Sequence, residues 1–417
     1  MVAALRHPLV VERPVEVQRL TGPDRNSFLH GLLTADVKAL PADGVVDAAM
    51  CDGKGNALEV LTVVSRSDAL LALGAGGRGA TLGALLDKYL FPADRVELSD
   101  ESAEWRCYEV LGPHADAVVS EALEAEAVPG VGRCVELSSS AVLLGQSSLG
   151  GSDGRGYAVL CRGGDDLTGA LRAALTAAAE ARSGGMGAYE PLRIRRGAPR
   201  HGYEFGDGAP NALASPLSLG LWGSVHLDKG CYLGNERIVR LARAKWQRKE
   251  LFGIAFAPQE APGGAAVVGE TLSSGAEVVM VAAAPASEEE EEEDDDDDEA
   301  AEEVAAARAK AAAEGATVGQ VTSVLPADEA GGPFALALLQ RAAQRVGTVV
   351  SVGGARGEVV QLPAATRFGA QAGGGIAPAE DEAEADAAAA AAEAEAERKR
   401  LKLEAMAAKM RALGLTP

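Results

Sequence analysis

Residues 288–299 are twelve consecutive acids, and no other feature of the 417-residue chain limits its folding so sharply. Like charges at that density repel one another and offer no apolar face, so the run cannot pack against itself. The stretches on either side do look foldable. Residues 249–281 and 318–362 read as short strands broken by Gly and Pro turns, the pattern of a small barrel. The chain must build that barrel from two halves and loop the acids out between them. An insert of about 285–316 is therefore expected to be disordered and solvated. It lacks the fixed ligand spacing of a calcium loop.

Removing those twelve charges from the formal −22 leaves −10, so the rest of the chain is only moderately acidic. No dominant basic face is implied, which argues against nucleic acid as a partner. No apolar stretch is long enough to span a bilayer. The N-terminus lacks the apolar core of a secretory signal and shows no clear transit peptide. The five cysteines (Cys51, Cys107, Cys134, Cys161 and Cys231) are scattered and form no C-x-x-C pair. That pattern fits a reducing compartment and opposes both a disulfide framework and a self-contained zinc or cluster site. Any cluster chemistry would be shared with a partner.

The length predicts two or three domains. Residues 15–37 read as a strand, a Gly-Pro-Asp turn and a helix that Asp24 can cap, with Phe28, Leu29, Leu32 and Leu33 as its apolar face. Residues 57–63 and 69–73 are strand-like, the first preceded by an Asp52–Asn56 turn. A helix is predicted through residues 82–89. Residues 104–182 alternate strand-like and helical runs, the pattern of an α+β subdomain. A basic helix over 189–197 carries Arg193, Arg195 and Arg196. After Gly373 the chain is Ala/Glu-rich, and 398–413 reads as an amphipathic helix with Leu403, Met406, Met410 and Leu413 on one face. The domains implied are 1–248 (α+β subdomain about 100–182), 249–370 interrupted by the insert, and a 371–417 linker and tail.

Chemistry concentrates at Lys229-Gly230-Cys231-Tyr232-Leu233-Gly234-Asn235-Glu236. If this segment is extended, Lys229 and Cys231 project to one face, and a lysine beside a thiol favours the thiolate. Gly230 and Gly234 let another backbone or a ligand come close. The same residues also suit a buried cysteine in a tight turn. Both readings stand on the residues alone.

The motif resembles the Lys-Gly-Cys-Tyr/Phe-x-Gly-Gln-Glu signature of the YgfZ/GcvT-like folate-binding proteins, relatives of the glycine cleavage T-protein, with Asn235 in place of Gln. Further stretches are similar to that family in order and spacing: 22–25 with 28–37, Leu111-Gly112-Pro113, Leu192–Pro199, and Gly220-Leu221-Trp222 leading to Lys229. Together with Lys88–Phe91 they look most like the plastid-type plant and algal branch. The resemblance covers roughly 5–282 and 316–365. It implies an α+β, T-protein-like folate-binding domain with a ferredoxin-like subdomain, then a small C-terminal β-barrel.

The resemblance also implies a function: an accessory protein in [4Fe–4S] cluster assembly or repair, working through Cys231 and Lys229 at a central opening. The thiol is expected at a mouth bounded by His30–Thr34 and Arg193–Arg196. Tetrahydrofolate would be met by Glu59, Arg195, Tyr232 and Glu236. Glu59 stands where the T-protein has an Asp, and Arg195 where it holds the pterin with a Glu. A guanidinium cannot accept the pterin's N–H groups. Partners would be iron–sulfur assembly proteins such as A-type carriers and [4Fe–4S] client enzymes, for a monomer in the chloroplast stroma or, alternatively, the mitochondrial matrix. Two rival readings are a tetrahydrofolate-dependent aminomethyltransferase and a scaffold without either chemistry.

Overall fold

The computed structural model describes residues 7–75, 82–125, 128–138, 140–149, 156–243, 247–257, 272–282, 308–312, 315–326 and 332–363. The acidic run, the Ala/Glu linker and the tail helix lie outside them.

Two sheets form the N-terminal half. The chain enters through β1 (Leu9–Arg13), β2 (Glu16–Thr21), helix α1 (Arg25–Leu32), β3 (Val45–Cys51), β4 (Ala57–Ser65), β5 (Leu70–Gly74), α2 (Leu82–Asp87) and β6 (Glu97–Asp100). It continues through β7 (Trp105–Leu111), α3 (Ala115–Leu123), β8 (Cys134–Ser138), β9 (Ala141–Leu144), β10 (Gly156–Arg162), α4 (Asp165–Glu180), β11 (Gly185–Gly187) and α5 (Tyr189–Arg196). One sheet has the order β3-β4-β5-β2-β6 and the other β11-β1-β7-β10-β9-β8. Alternation along the strands gives each sheet two apolar faces. One face of the first sheet packs with α1 and α2 through Leu20, Leu29, Leu33, Met50 and Leu61. One face of the second covers α3 and α4. The remaining faces meet each other, Val17, Val45, Val64 and Leu71 against Trp105, Cys107, Val142 and Leu160. This is the α+β arrangement expected, with a sandwich interface at its centre.

After α6 (Asn235–Arg243) come β12 (Lys249–Phe256), β13 (Glu277–Ala282), β14 (Thr317–Leu325), β15 (Phe334–Gln340), β16 (Val349–Val352) and β17 (Ala355–Val360). They close as β12-β15-β14-β13-β16-β17, a six-stranded barrel. The two halves on either side of the acids do pair, through β13 and β14. One part of the expected insert belongs to the barrel instead: 308–312 is helical, and Ala311 and Ala312 pack on the barrel core.

Two local expectations change. Asp24 sits at the start of α1, but its carboxylate makes no cap and takes Arg95 instead, Arg95 Nε and Nη2 donating at 2.9 and 2.8 Å. The signature segment is not a strand. It is a loop that ends by starting α6 at Asn235.

Candidate functional site

The signature loop is held from three directions. Lys229 points inward, and its Nζ donates to the carbonyls of His30, Leu33 and Ala35 at 2.5, 2.6 and 2.8 Å. These carbonyls lie at and beyond the last turn of α1, where a helix leaves acceptors without partners and a cation is favoured. Burial pulls the Lys229 ammonium down to about 8, opposed by Asp36 and aided by Lys38. The same ammonium lies 4.9 Å over the Tyr232 ring. Leu233 N–H adds a bond to the Gly31 carbonyl.

The second support is the Asp52–Asn56 turn. Asp52 folds it by accepting from the backbone N–H of Lys54 and Asn56 and from Asn56 Nδ2. Gly234, at φ +84°, lies so close that a Cβ there would meet the Asp52 carbonyl at 2.4 Å and the Gly55 Cα at 3.0 Å. Only glycine allows that approach. The third support is apolar: Tyr232, Trp222, Val225 and Ile238 pack with Ala49 and Cys51. The Tyr232 hydroxyl is buried with no hydrogen-bond partner among the described residues, and burial pushes the phenol well up.

Cys231 is left on the outside of this anchored loop, exposed. The other four cysteines are buried, and burial pushes Cys51 and Cys134 up to about 12 and Cys107 and Cys161 up to about 11. They stay protonated thiols at any ordinary pH. The expected Lys229–Cys231 pairing on a common face is corrected here: the ammonium is directed into the α1 carbonyls, which take its three donors, rather than toward the thiol.

The remaining candidates do not gather around the thiol. His30, Gly31 and Leu33 do border the loop, but α5 packs against β1, β14 and β15. Arg195 Nη2 donates to the Gly332 carbonyl of the barrel at 3.1 Å. Arg193 is fully buried and donates to Glu204 at 2.9 Å, to Ser323 at 3.0 Å and to the Ala198 carbonyl. Glu236 is 87% exposed in its side chain and pairs with Arg240 one turn along α6, so it faces solvent. Glu59 is buried on β4, and burial lifts its carboxyl to about 7, reinforced by Glu16 and opposed by its bond from Val60 N–H and by Arg200.

A polar group that the sequence reading missed lies at the edge of the sandwich interface. Arg13 Nε meets Glu109 Oε1 at 2.8 Å, and Ser148 donates to the same oxygen at 2.6 Å. Opposite, Thr62 donates to Asp47 at 2.6 Å. Burial raises both Asp47 and Tyr189, whose electrostatic neighbours include Arg13 and Glu109. The available signal was a charge inside an apolar strand, Asp47 in Val45–Cys51 and Glu109 in Trp105–Leu111. Among the described residues no group of three or more His, Cys, Asp or Glu is placed to hold a metal ion. No helix there is long and apolar enough to cross a membrane.

This combination of two packed sheets and a closed barrel is the aminomethyltransferase fold. The crystal structure of the glycine cleavage aminomethyltransferase T from Bartonella henselae matches with a TM-score of 0.58 over 88% of this chain and 87% of that one, at 14% identity. No family model matches the chain. A protein from Edwardsiella ictaluri named tRNA-modifying protein YgfZ is 30% identical over 271 residues, 61% of this chain and 76% of that protein. The chain belongs to the YgfZ/GcvT-like family. It is also 26% identical over 254 residues to a chloroplastic protein of Arabidopsis thaliana named as a transferase, and 27% over 238 residues to an aminomethyltransferase of Rubrobacter xylanophilus. The matches span 56% and 60% of those two relatives, less than two thirds of either.

Proposed function

We propose that this protein is a folate-binding accessory factor of [4Fe–4S] cluster assembly or repair that works through Cys231. The observation carrying the reading is the contrast among thiols: one cysteine stands exposed on a loop anchored by Lys229, Gly234 and Tyr232, while four are buried. Cys231, on giving its proton to solvent, supplies one sulfur ligand. The rest of a cluster's coordination then comes from a partner, an A-type carrier or a [4Fe–4S] client enzyme. The name of the Arabidopsis relative supports a plastid location, which we take as the stroma, with the mitochondrial matrix as alternative.

Tetrahydrofolate fits the residues in part. Glu59 offers a buried carboxyl that is neutral for part of the time near pH 7, able to donate as well as accept. Arg195 cannot accept a pterin's N–H groups, and its guanidinium is already committed to Gly332. Folate is therefore proposed as a bound ligand and no one-carbon step is derived. Aminomethyl transfer, the second reading, is opposed by both departures from the T-protein, Glu59 for Asp and Arg195 for Glu.

The test is complementation of cells lacking the protein, reading a [4Fe–4S] enzyme with a heme enzyme as control. Cys231→Ser should fail at parent abundance and with parent thermal stability, because an exposed thiol contributes little packing. Rescue equal to the parent would transfer the function to the scaffold reading. Calorimetric titration with tetrahydrofolate tests the ligand separately, and no heat of binding at any concentration tried would remove folate from the proposal.

A further inference from the structure

Strand register places the root of the acidic insert at a basic end of the barrel. Ala282, the last residue of β13, pairs with Val349 at the start of β16. Val279 pairs with Thr317, where β14 begins. Gly319 then pairs with Leu339 near the end of β15, and Gln340 with Lys249 at the start of β12. All these residues share one end of the barrel. The junction from α6 arrives there too, since Gln344 Nε2 donates to both the Gln247 and the Leu339 carbonyls.

That end is rich in cations. Arg243, Arg248, Lys249 and Lys310 are exposed, and Arg341 and Arg345 are half-buried beside them in the β15–β16 connection. Lys249 Nζ donates to the neutral amide oxygen of Asn211 at 2.8 Å and forms no ion pair among the described residues. Glu358, opposite Val349, and the buried Glu250, opposite Leu339, are acids at the same end, and the cations outnumber them. We infer that this basic end is a docking surface and that its occupant is the chain's own acidic run, residues 288–299.

Length and charge both favour the run over a separate partner. It begins six residues beyond Ala282, about 20 Å of extended chain, and ends nine residues before Arg308, about 30 Å. Tethering at both ends holds twelve carboxylates within reach of the cations at an effective concentration on the order of millimolar. The contact is electrostatic at a solvated surface, so added salt weakens it, with the screening length falling from about 10 Å at 0.1 M to about 3 Å at 1 M. Its consequence is a masked surface: a polyanion meets the basic end only by displacing the run. The mask goes beyond the proposed cluster role and does not depend on Cys231.

Zero-length carbodiimide coupling of the full chain, followed by peptide mapping, tests the contact. Lys249 is the informative nucleophile because it is far in sequence from the acids. Coupling of Lys249 to 288–299 within one chain at low salt, lost at high salt, is the expected result. Coupling of the run to Lys399 or Lys402 of the tail, or only between chains, overturns the inference. Heparin retention gives an independent reading. Replacing the twelve acids by Gln and Asn should strengthen retention, and adding Arg243→Gln, Arg248→Gln and Lys249→Gln should cancel the gain. A gain that survives the three surface substitutions comes from net charge alone and overturns the mask.

Discussion

Glu59 and Lys229 carry charge where water is scarce, and each makes its own prediction. The Glu59 carboxyl titrates near 7 in the fold against an ordinary value of 4.5. Below 4.5 it is protonated in folded and unfolded chains alike and costs nothing. Between 4.5 and 7 the folded chain holds the extra proton, so stability falls as pH rises, and the full penalty stands above 7. Glu59→Gln should therefore stabilise the protein by on the order of 3 kcal/mol at pH 8 and by nothing at pH 4. Urea midpoints at the two pH values check it, and an equal gain at both would refute burial as the cause. Lys229→Met should act in the other direction. It leaves the His30, Leu33 and Ala35 carbonyls without their donor, a loss of about 2–4 kcal/mol read as a lower melting temperature. The fact that Lys229 matters was legible in the motif, but its role was not. Sequence spacing set it beside Cys231, whereas the acceptors that claim it sit almost two hundred residues earlier. Arg195 failed to be legible for the same reason, because its acceptor belongs to the barrel.

Elements were legible where periodicity was strong. The apolar face of α1, the Asp52–Asn56 turn, β4, β5 and α5 lie where residue pattern puts them, because burial of one face selects helix or strand locally. The signature segment carries no helical period until Asn235, so residue pattern alone does not choose between an extended run and the loop that it forms. Its conformation is decided by contact with the 52–56 turn rather than by propensity. That contact is testable. Gly234→Ala has to place a methyl at φ +84° against the Asp52 carbonyl and should cost about 2–4 kcal/mol. Gly53→Ala, on the same turn with nothing within 4 Å of the new Cβ, should cost far less. Hydrogen exchange should show faster opening of α6 and of the Cys231 loop in the first variant alone. If both variants melt alike, the close approach of the two turns does not organise the loop.

At the scale of the whole molecule, the barrel and the N-terminal half are tied by one buried charge group. Glu204 and Arg193 are both 0% exposed; Glu204 has Arg193 as its counter-charge, while Arg193 also pairs with the half-exposed Glu190 at 3.1 Å. Glu204 Oε2 accepts from Arg193 and from the Arg200 N–H, while Oε1 accepts from Thr322 and Ser323 of β14. Arg193 adds its own bond to Ser323. Apolar packing runs alongside, with Ile194, Phe205 and Ala57 against Leu336, Leu338 and Val360. An unpaired charge in that layer is far costlier than an apolar pair of the same volume. Arg193→Met should therefore cost about 3–5 kcal/mol, with the buried Glu204 left without its counter-charge, and Glu204→Leu less, because Arg193 keeps Glu190. The double substitution should cost much less than the two together, because no buried charge is then stranded. Thermal unfolding of the four proteins measures that coupling. Each single variant should also expose β14 amides to hydrogen exchange ahead of β3 and β4, as the barrel loosens from α5 before the sandwich opens. Additive losses in the double variant, or simultaneous exchange across both halves, would mean that the apolar layer alone joins the barrel to the rest.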